Sequence, residues 1–147
     1  MAIDYSNDIN LIKEIIEKMF DGISWDNDNP PDWELFASAC IQNVTLYPSS
    51  RPLAPTNMVS FMQMMGSQRD SGDITTFKEH ALGHKINVFG NIAVAMSSFE
   101  MAINSGAPSR GVNGFLLIKD LEWEIVAICW DMESNEHTIK DDLLSED

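Results

Sequence analysis

Residues 110–132 read "RGVNGFLLIKDLEWEIVAICWDM". Two runs rich in Val, Ile, Leu, Phe and Trp flank a short polar turn at Asp120, which predicts two long strands joined as a hairpin. The first run opens on Arg110 and carries Asn113 between Gly111 and Gly114; the second holds Trp123 and Trp130. A hairpin that only covers a core has no use for an inward arginine or asparagine. A hairpin that lines a pocket does.

The same texture extends upstream. "ITTFKEHALGHKINVFG" and "NIAVAMSSFEMAIN" are two more β-like runs, separated by Gly90-Asn91 and followed by the turn signal Ser105-Gly106-Ala107-Pro108. Each run exceeds the usual strand of ~5–6 residues. Long strands joined by tight turns make an antiparallel meander, and a long sheet coils, so its concave side must be filled. The filler comes earlier in the chain. "NDINLIKEIIEKMFDGIS" repeats apolar residues at helical spacing, with Asn7 or Asp8 as a cap and Gly22 as a stop. "DWELFASACI" predicts a short second helix capped by Asp32, "VTLYPS" a short extended piece, and "APTNMVSFMQMMGSQRD" a third helix starting near Thr56. Helices followed by strands are an α+β arrangement.

That order resembles the nuclear transport factor 2-like superfamily, also called SnoaL-like, over about residues 7–134. "INVFGNIAVAMSSFEM" is similar to the superfamily's "fG-x-vA-x-v" hairpin, and the Trp-containing run that opens this section to its "W-x-I" last strand. The resemblance implies a cystatin-like cone in which three N-terminal helices pack inside a strongly curved antiparallel sheet, leaving a cavity at the open end. It implies one SnoaL-like domain over 1–147, with an acidic tail from 135 to 147. The superfamily includes ketosteroid isomerase, scytalone dehydratase, limonene epoxide hydrolase, polyketide cyclases and non-catalytic members, so fold alone does not assign chemistry. The isomerase's active-site pattern is not matched. The first helix lacks a tyrosine, and "SACIQNVTLY" lacks a carboxylate.

Strand alternation sorts the candidates by face. By resemblance, Trp130 looks into the cone, as core filling or as pocket wall. Trp123, an odd number of residues away, then belongs to the outer face with Ala95, Ser97 and Phe99. Arg110 and Asn113 fall on opposite faces unless a bulge at the flanking glycines brings both inward. Arg110 suits a ligand carboxylate or a surface ion pair; Asn113 needs a partner in the backbone or a ligand. His80 and His84 share a face by spacing. His84, among apolar residues, is the candidate general base or a hydrogen-bonded structural histidine. Glu100 ends an apolar row as a rim group or a raised-pKa acid. Tyr47 can reach the cavity mouth, and Met62 belongs to a methionine-rich face that suits core packing or a deformable wall.

The remaining signals bound the function. A net charge of −14 over 147 residues argues against nucleic acid and anionic membranes. No apolar window is long enough for a membrane span, and "MAIDYSND" lacks a secretory pattern, so a cytoplasmic address is the default expectation. Cys40 and Cys129 lie in apolar contexts and read as buried free thiols. No histidine pair has metal-ligand spacing, no Gly-rich phosphate loop or nucleophile elbow is present, and no cofactor is implied. Two functions remain open. One is a cone that binds a small apolar oxygenated ligand, as a lyase, isomerase or cyclase. The other is a non-catalytic domain that forms a homodimer through the outer face of its sheet.

Overall fold

A computed structural model describes residues 3–144. The first two residues of the N-terminal reading and the last three of the acidic tail lie outside the described residues. Helix α1 (Ser6–Ile23) is followed by α2 (Trp33–Ser38), β1 (Cys40–Tyr47), β2 (Thr56–Asn57) and α3 (Met58–Asp70). Strands β3 (Phe77–Phe89), β4 (Ile92–Ile103), β5 (Ser109–Lys119) and β6 (Trp123–Met132) come next, then a short 3₁₀ turn at Asp141–Leu143. The six strands form one curved, unclosed sheet in the order β2-β1-β6-β5-β4-β3. The long strands make the expected antiparallel meander. The early strand β1 departs from it and pairs parallel to β6, extending the sheet beyond the meander.

The helix ends differ in detail from the sequence reading. Asp8 is not a cap. It lies in the first turn of α1 and accepts hydrogen bonds from Trp123 Nε1 (2.9 Å) and Lys119 Nζ (3.1 Å), tying the helix to the β5–β6 turn. These bonds, Trp123 first, hold the Asp8 carboxyl below its ordinary value. Asn57 rather than Thr56 caps α3, accepting from Ser60 N at 2.8 Å, whereas Asp32 caps α2 as expected. Gly22 does not stop α1. A Cβ there would meet Phe36 N at 2.7 Å, so the glycine lets α2 lie against α1.

Two one-residue bulges decide the sheet's faces. In β6, Leu116 pairs with Ala127 and Leu117 with Ile125, which leaves Val126 as an extra residue. Simple alternation would put Trp123 and Trp130 on opposite faces. The bulge resets the phase, so Trp123 and Ile125 turn inward together with Ile128 and Trp130. Trp123 is 3% exposed, and Ala95, Ser97 and Phe99 are buried on the concave side, which corrects their assignment to the outer face. In β3, Ala81 pairs with Phe99 and Gly83 with Ser98, which leaves Leu82 as the extra residue. His80 and His84 therefore point to opposite faces. A bulge adds local twist and bends the strand, and both of these act on the meander that must wrap the helices.

The core joins Ile12, Ile16 and Phe20 of α1 to Phe99, Phe115, Leu117 and Ile125 of the sheet. Trp25, just past α1, is paired by backbone hydrogen bonds to Phe77 (2.8 and 3.0 Å) and stacks on its ring at 5.2 Å. The glycines of β5 serve close approach rather than a bulge of their own. A Cβ on Gly111 would lie 2.5 Å from the Asp131 carbonyl and 2.6 Å from the Phe99 ring.

The Gly111→Ala variant is expected to lose about 1–3 kcal/mol by overpacking, read as a lower urea midpoint. Deleting Val126 restores strict alternation and sends either Trp123 or Trp130 to the convex face. A cooperative, wild-type-like thermal transition in that deletion would contradict the role given to the bulge.

Candidate functional site

The bent sheet and the helices enclose a cavity of about 240 Å³. Its walls come from every layer of the fold. Met19, Phe20 and Ile23 of α1, Phe36 of α2, and Phe61, Met64 and Met65 of α3 form one side. Phe77, Phe99, Phe115, Ile128 and Trp130 form the sheet side, with Leu46, Met101 and Met132 completing it. A chain of aromatic contacts joins the helical side to the sheet side. Trp33 meets Phe36 edge-on at 5.8 Å, Phe36 stacks on Phe61 at 5.7 Å, and Phe61 meets Trp130 edge-on at 5.9 Å. Such pairs are worth ~0.5–1.5 kcal/mol each beyond burial and hold ring positions. Met64, 48% exposed, marks where the cavity meets solvent.

Among the described residues, two acid or amide side chains line this space, Glu79 and Asn113. Glu79 is placed by β3 alternation: Phe77, Glu79 and Ala81 share the inward face, while Lys78 and His80 turn out to Asp26 (3.1 Å) and Glu100 (3.6 Å). Ser24 fixes the backbone here. Its Oγ accepts from Glu79 N at 3.0 Å and donates to the Phe20 carbonyl at 2.8 Å, clamping the end of α1 to β3. Among the described residues no lysine, arginine or histidine lines the cavity. Glu79 is half-buried by its accessible surface, and desolvation by the apolar side chains around it pushes its carboxyl up to about 8. Asn113 reaches the cavity from β5, opposite Ser97 on β4.

The other sequence candidates fall elsewhere. His84 is fully buried but behind the cavity wall, between the sheet and α1. Its Nδ1 is 2.7 Å from Ser97 Oγ and its Nε2 is 3.5 Å from Glu17 Oε1. His80 is on the convex face. Arg110 is also on that face, because β4 and β5 pair without interruption past Gly111; its guanidinium forks onto Glu133 at 2.9 and 3.2 Å. Tyr47 and Met62 are half-buried but do not line the cavity; Met64 and Met65 take the place expected of Met62. Trp130 and Asn113 do line it. Glu100 is half-buried on the convex side against His80. Cys40 is largely buried, which pushes its thiol up to about 12, but Cys129 is exposed, contrary to the expectation of two buried thiols. Among the described residues no cluster of three or more His, Cys, Asp or Glu side chains could hold a metal ion, and no helix is long and apolar enough to cross a membrane.

Sequence reading missed Glu79. The signal was present: in "TTFKEHAL" the glutamate is two residues from Phe77, on the face that Phe77 buries.

Comparison with solved structures bears on this architecture. An NTF2-like protein of unknown function from Shewanella baltica matches over 91% of this chain and 100% of its own, with a TM-score of 0.64 at 16% identity. A protein of unknown function with a cystatin-like fold from Nostoc punctiforme matches over 92% and 97%, at 0.69 and 12% identity. This chain has the nuclear transport factor 2-like, cystatin-like fold. A candidate dehydratase of the NTF2-like family from Streptomyces avermitilis shares the fold over 89% of this chain and 99% of its own, with a TM-score of 0.69 at 8% identity. No family model matches the sequence, and no curated protein matches it. Within the NTF2-like cone, then, this chain places one acid and one amide, Glu79 and Asn113, in an otherwise apolar and aromatic chamber.

The buried carboxyl has a sign-defined effect on stability. In the unfolded chain Glu79 ionises near 4.5, whereas in the folded chain it holds its proton to about 8. The unfolded state therefore binds fewer protons between these values, and folding loses stability as pH rises through that window. Glu79→Gln removes this loss. Its melting temperature relative to wild type is expected to rise between pH 5 and pH 9; a constant difference across that range would count against a desolvated carboxyl.

Proposed function

We propose that the cavity binds a small apolar molecule carrying an oxygen function, and that Glu79 is the group that handles its proton. The observation that carries this reading is the pairing of one isolated carboxyl with an apolar, aromatic-lined cavity of about 240 Å³. An apolar pocket with a few convergent polar groups is the usual form of a small-molecule site. A carboxyl whose proton is held to near neutral pH can both give and recover it. The chemistry this suits is redox-neutral: isomerisation, dehydration or cyclisation of an oxygenated hydrocarbon skeleton, with Asn113 orienting the oxygen. The sharing of the fold with a candidate dehydratase is consistent with that class. His84, the base suggested by sequence, is set aside in favour of Glu79 because it lies outside the cavity lining.

Native mass spectrometry of the purified protein is expected to show a co-purified small molecule, released on denaturation. On a turned-over substrate of that class, Glu79→Gln should lower kcat by about 10²–10⁴, while His84→Gln should act on stability. A Glu79→Gln protein with undiminished kcat would end the catalytic part of the reading.

A second reading rests on the convex face. Ile92, Val94, Met96, Leu116 and Ile118 are 45–57% exposed there. Ile92 pairs with Ile118 and Val94 with Leu116, so they form one continuous strip. The C-terminal segment covers the neighbouring part of the face, where Ser98 Oγ donates to the Leu143 carbonyl and Lys85 meets Asp142 at 3.2 Å. We infer that a second copy of the chain covers the strip in an isologous contact, since a two-fold axis lays the same uncharged strip against itself. This is compatible with ligand binding on the other face. Sedimentation equilibrium at micromolar concentration is expected to give a dimer, and Val94→Asp with Leu116→Asp to give a folded monomer. A wild-type monomer would overturn the inference.

A further inference from the structure

The charge inventory of the cavity restricts its ligand further, on the reading that the cavity is a ligand site. An anionic ligand needs a cation or several converging N–H donors. Among the described residues the lining offers no cation, and its one ionisable group is itself an acid. A carboxylate or phosphate inside would be desolvated with no cation to compensate and only the Asn113 amide to donate to it, at several kcal/mol. The guanidinium of Arg110 is committed to Glu133 on the other side of the sheet. A cationic ligand is disfavoured differently, because the Glu79 carboxyl is neutral over most of the ordinary pH range.

Size is the second restriction. An engineered apolar cavity of about 150 Å³ accommodates benzene. The present cavity of about 240 Å³ is larger by rather more than half, which suits two fused six-membered rings. The aromatic wall built on Phe36, Phe61 and Trp130 favours a flat molecule, which it can stack or meet edge-on. The lining methionines adapt to its outline.

We propose that the cavity selects an uncharged molecule of about bicyclic size whose carbonyl-type oxygen accepts a hydrogen bond from the Glu79 carboxyl group. A neutral acid donates one hydrogen bond to a carbonyl. An ionised carboxylate only accepts, and repels the same oxygen. Binding of such a ligand therefore weakens as pH rises through the Glu79 titration, while binding of the matching hydrocarbon does not.

Equilibrium dialysis of the full chain against naphthalene, 1-tetralone and 1-naphthoate tests this at pH 6.5 and 9.5. At pH 6.5 naphthalene and 1-tetralone are expected to be retained, with 1-tetralone at least about tenfold tighter than 1-naphthoate, a difference of about 1.4 kcal/mol. At pH 9.5 the affinity for 1-tetralone should fall several-fold and that for naphthalene should not change. Glu79→Gln, whose amide still donates, should bind 1-tetralone equally at both pH values. If that variant does not fold, the wild-type comparison of 1-tetralone with naphthalene decides alone. Retention of 1-naphthoate as tight as that of 1-tetralone, or a pH-independent affinity for 1-tetralone while naphthalene binds, overturns the inference and leaves the ligand cavity standing. Retention of none of the three overturns both.

Discussion

A single extra residue in each of two strands governs this protein's interior. Val126 in β6 and Leu82 in β3 each break the two-residue period of the sheet, and everything beyond them changes face. Without the first, one of the two indoles would face solvent. With it, Trp123 seals the β5–β6 end against Asp8 of α1, and Trp130 joins the cavity wall on the same concave surface. Without the second, His80 and His84 would stay in phase. With it, His84 packs against Ser97 while Phe77 and Glu79 face the cavity further along the strand. The bulges let one sheet serve two interiors, a tight core near α1 and an open chamber near α3.

The chamber's chemistry follows from how completely its neighbours are committed elsewhere. Lys78 and His80 flank Glu79 in sequence but belong to the other face, held by Asp26 and Glu100. Arg110 is fixed by Glu133. Among the described residues no cation lines the cavity beside this half-buried carboxyl, and rings and methionines replace much of the water around it. Desolvation then dominates and the acid keeps its proton. In a chain with net charge −14, most carboxylates are solvated. Glu79 differs by its surroundings alone.

Much of the architecture was legible in the sequence. The helical spacing of Ile9, Ile12, Ile16 and Phe20 specified α1, the turn at Gly90-Asn91 specified the β3–β4 hairpin, and helices before strands specified the α+β class. These are local signals, written in period and turn chemistry. The candidate site was legible only in part. Trp130 and Asn113 line the cavity, but His84, His80, Arg110, Tyr47 and Met62 do not, and Glu79 was passed over. Each error in face traces to counting by twos across a bulge, or to expecting one where the strands run true.

The sequence by itself determined the three helices and the long strands, their order and the acid-rich, cysteine-poor character of the chain, because these depend on nearest neighbours and composition. Tertiary structure decided which side of the sheet each strand residue serves, where β1 joins it, and which carboxyl is set among apolar cavity walls. Those outcomes depend on strand register and on packing between residues far apart in the chain, such as Ser24 with Glu79 and Asp8 with Trp123. A one-residue shift in register reverses every assignment downstream of it.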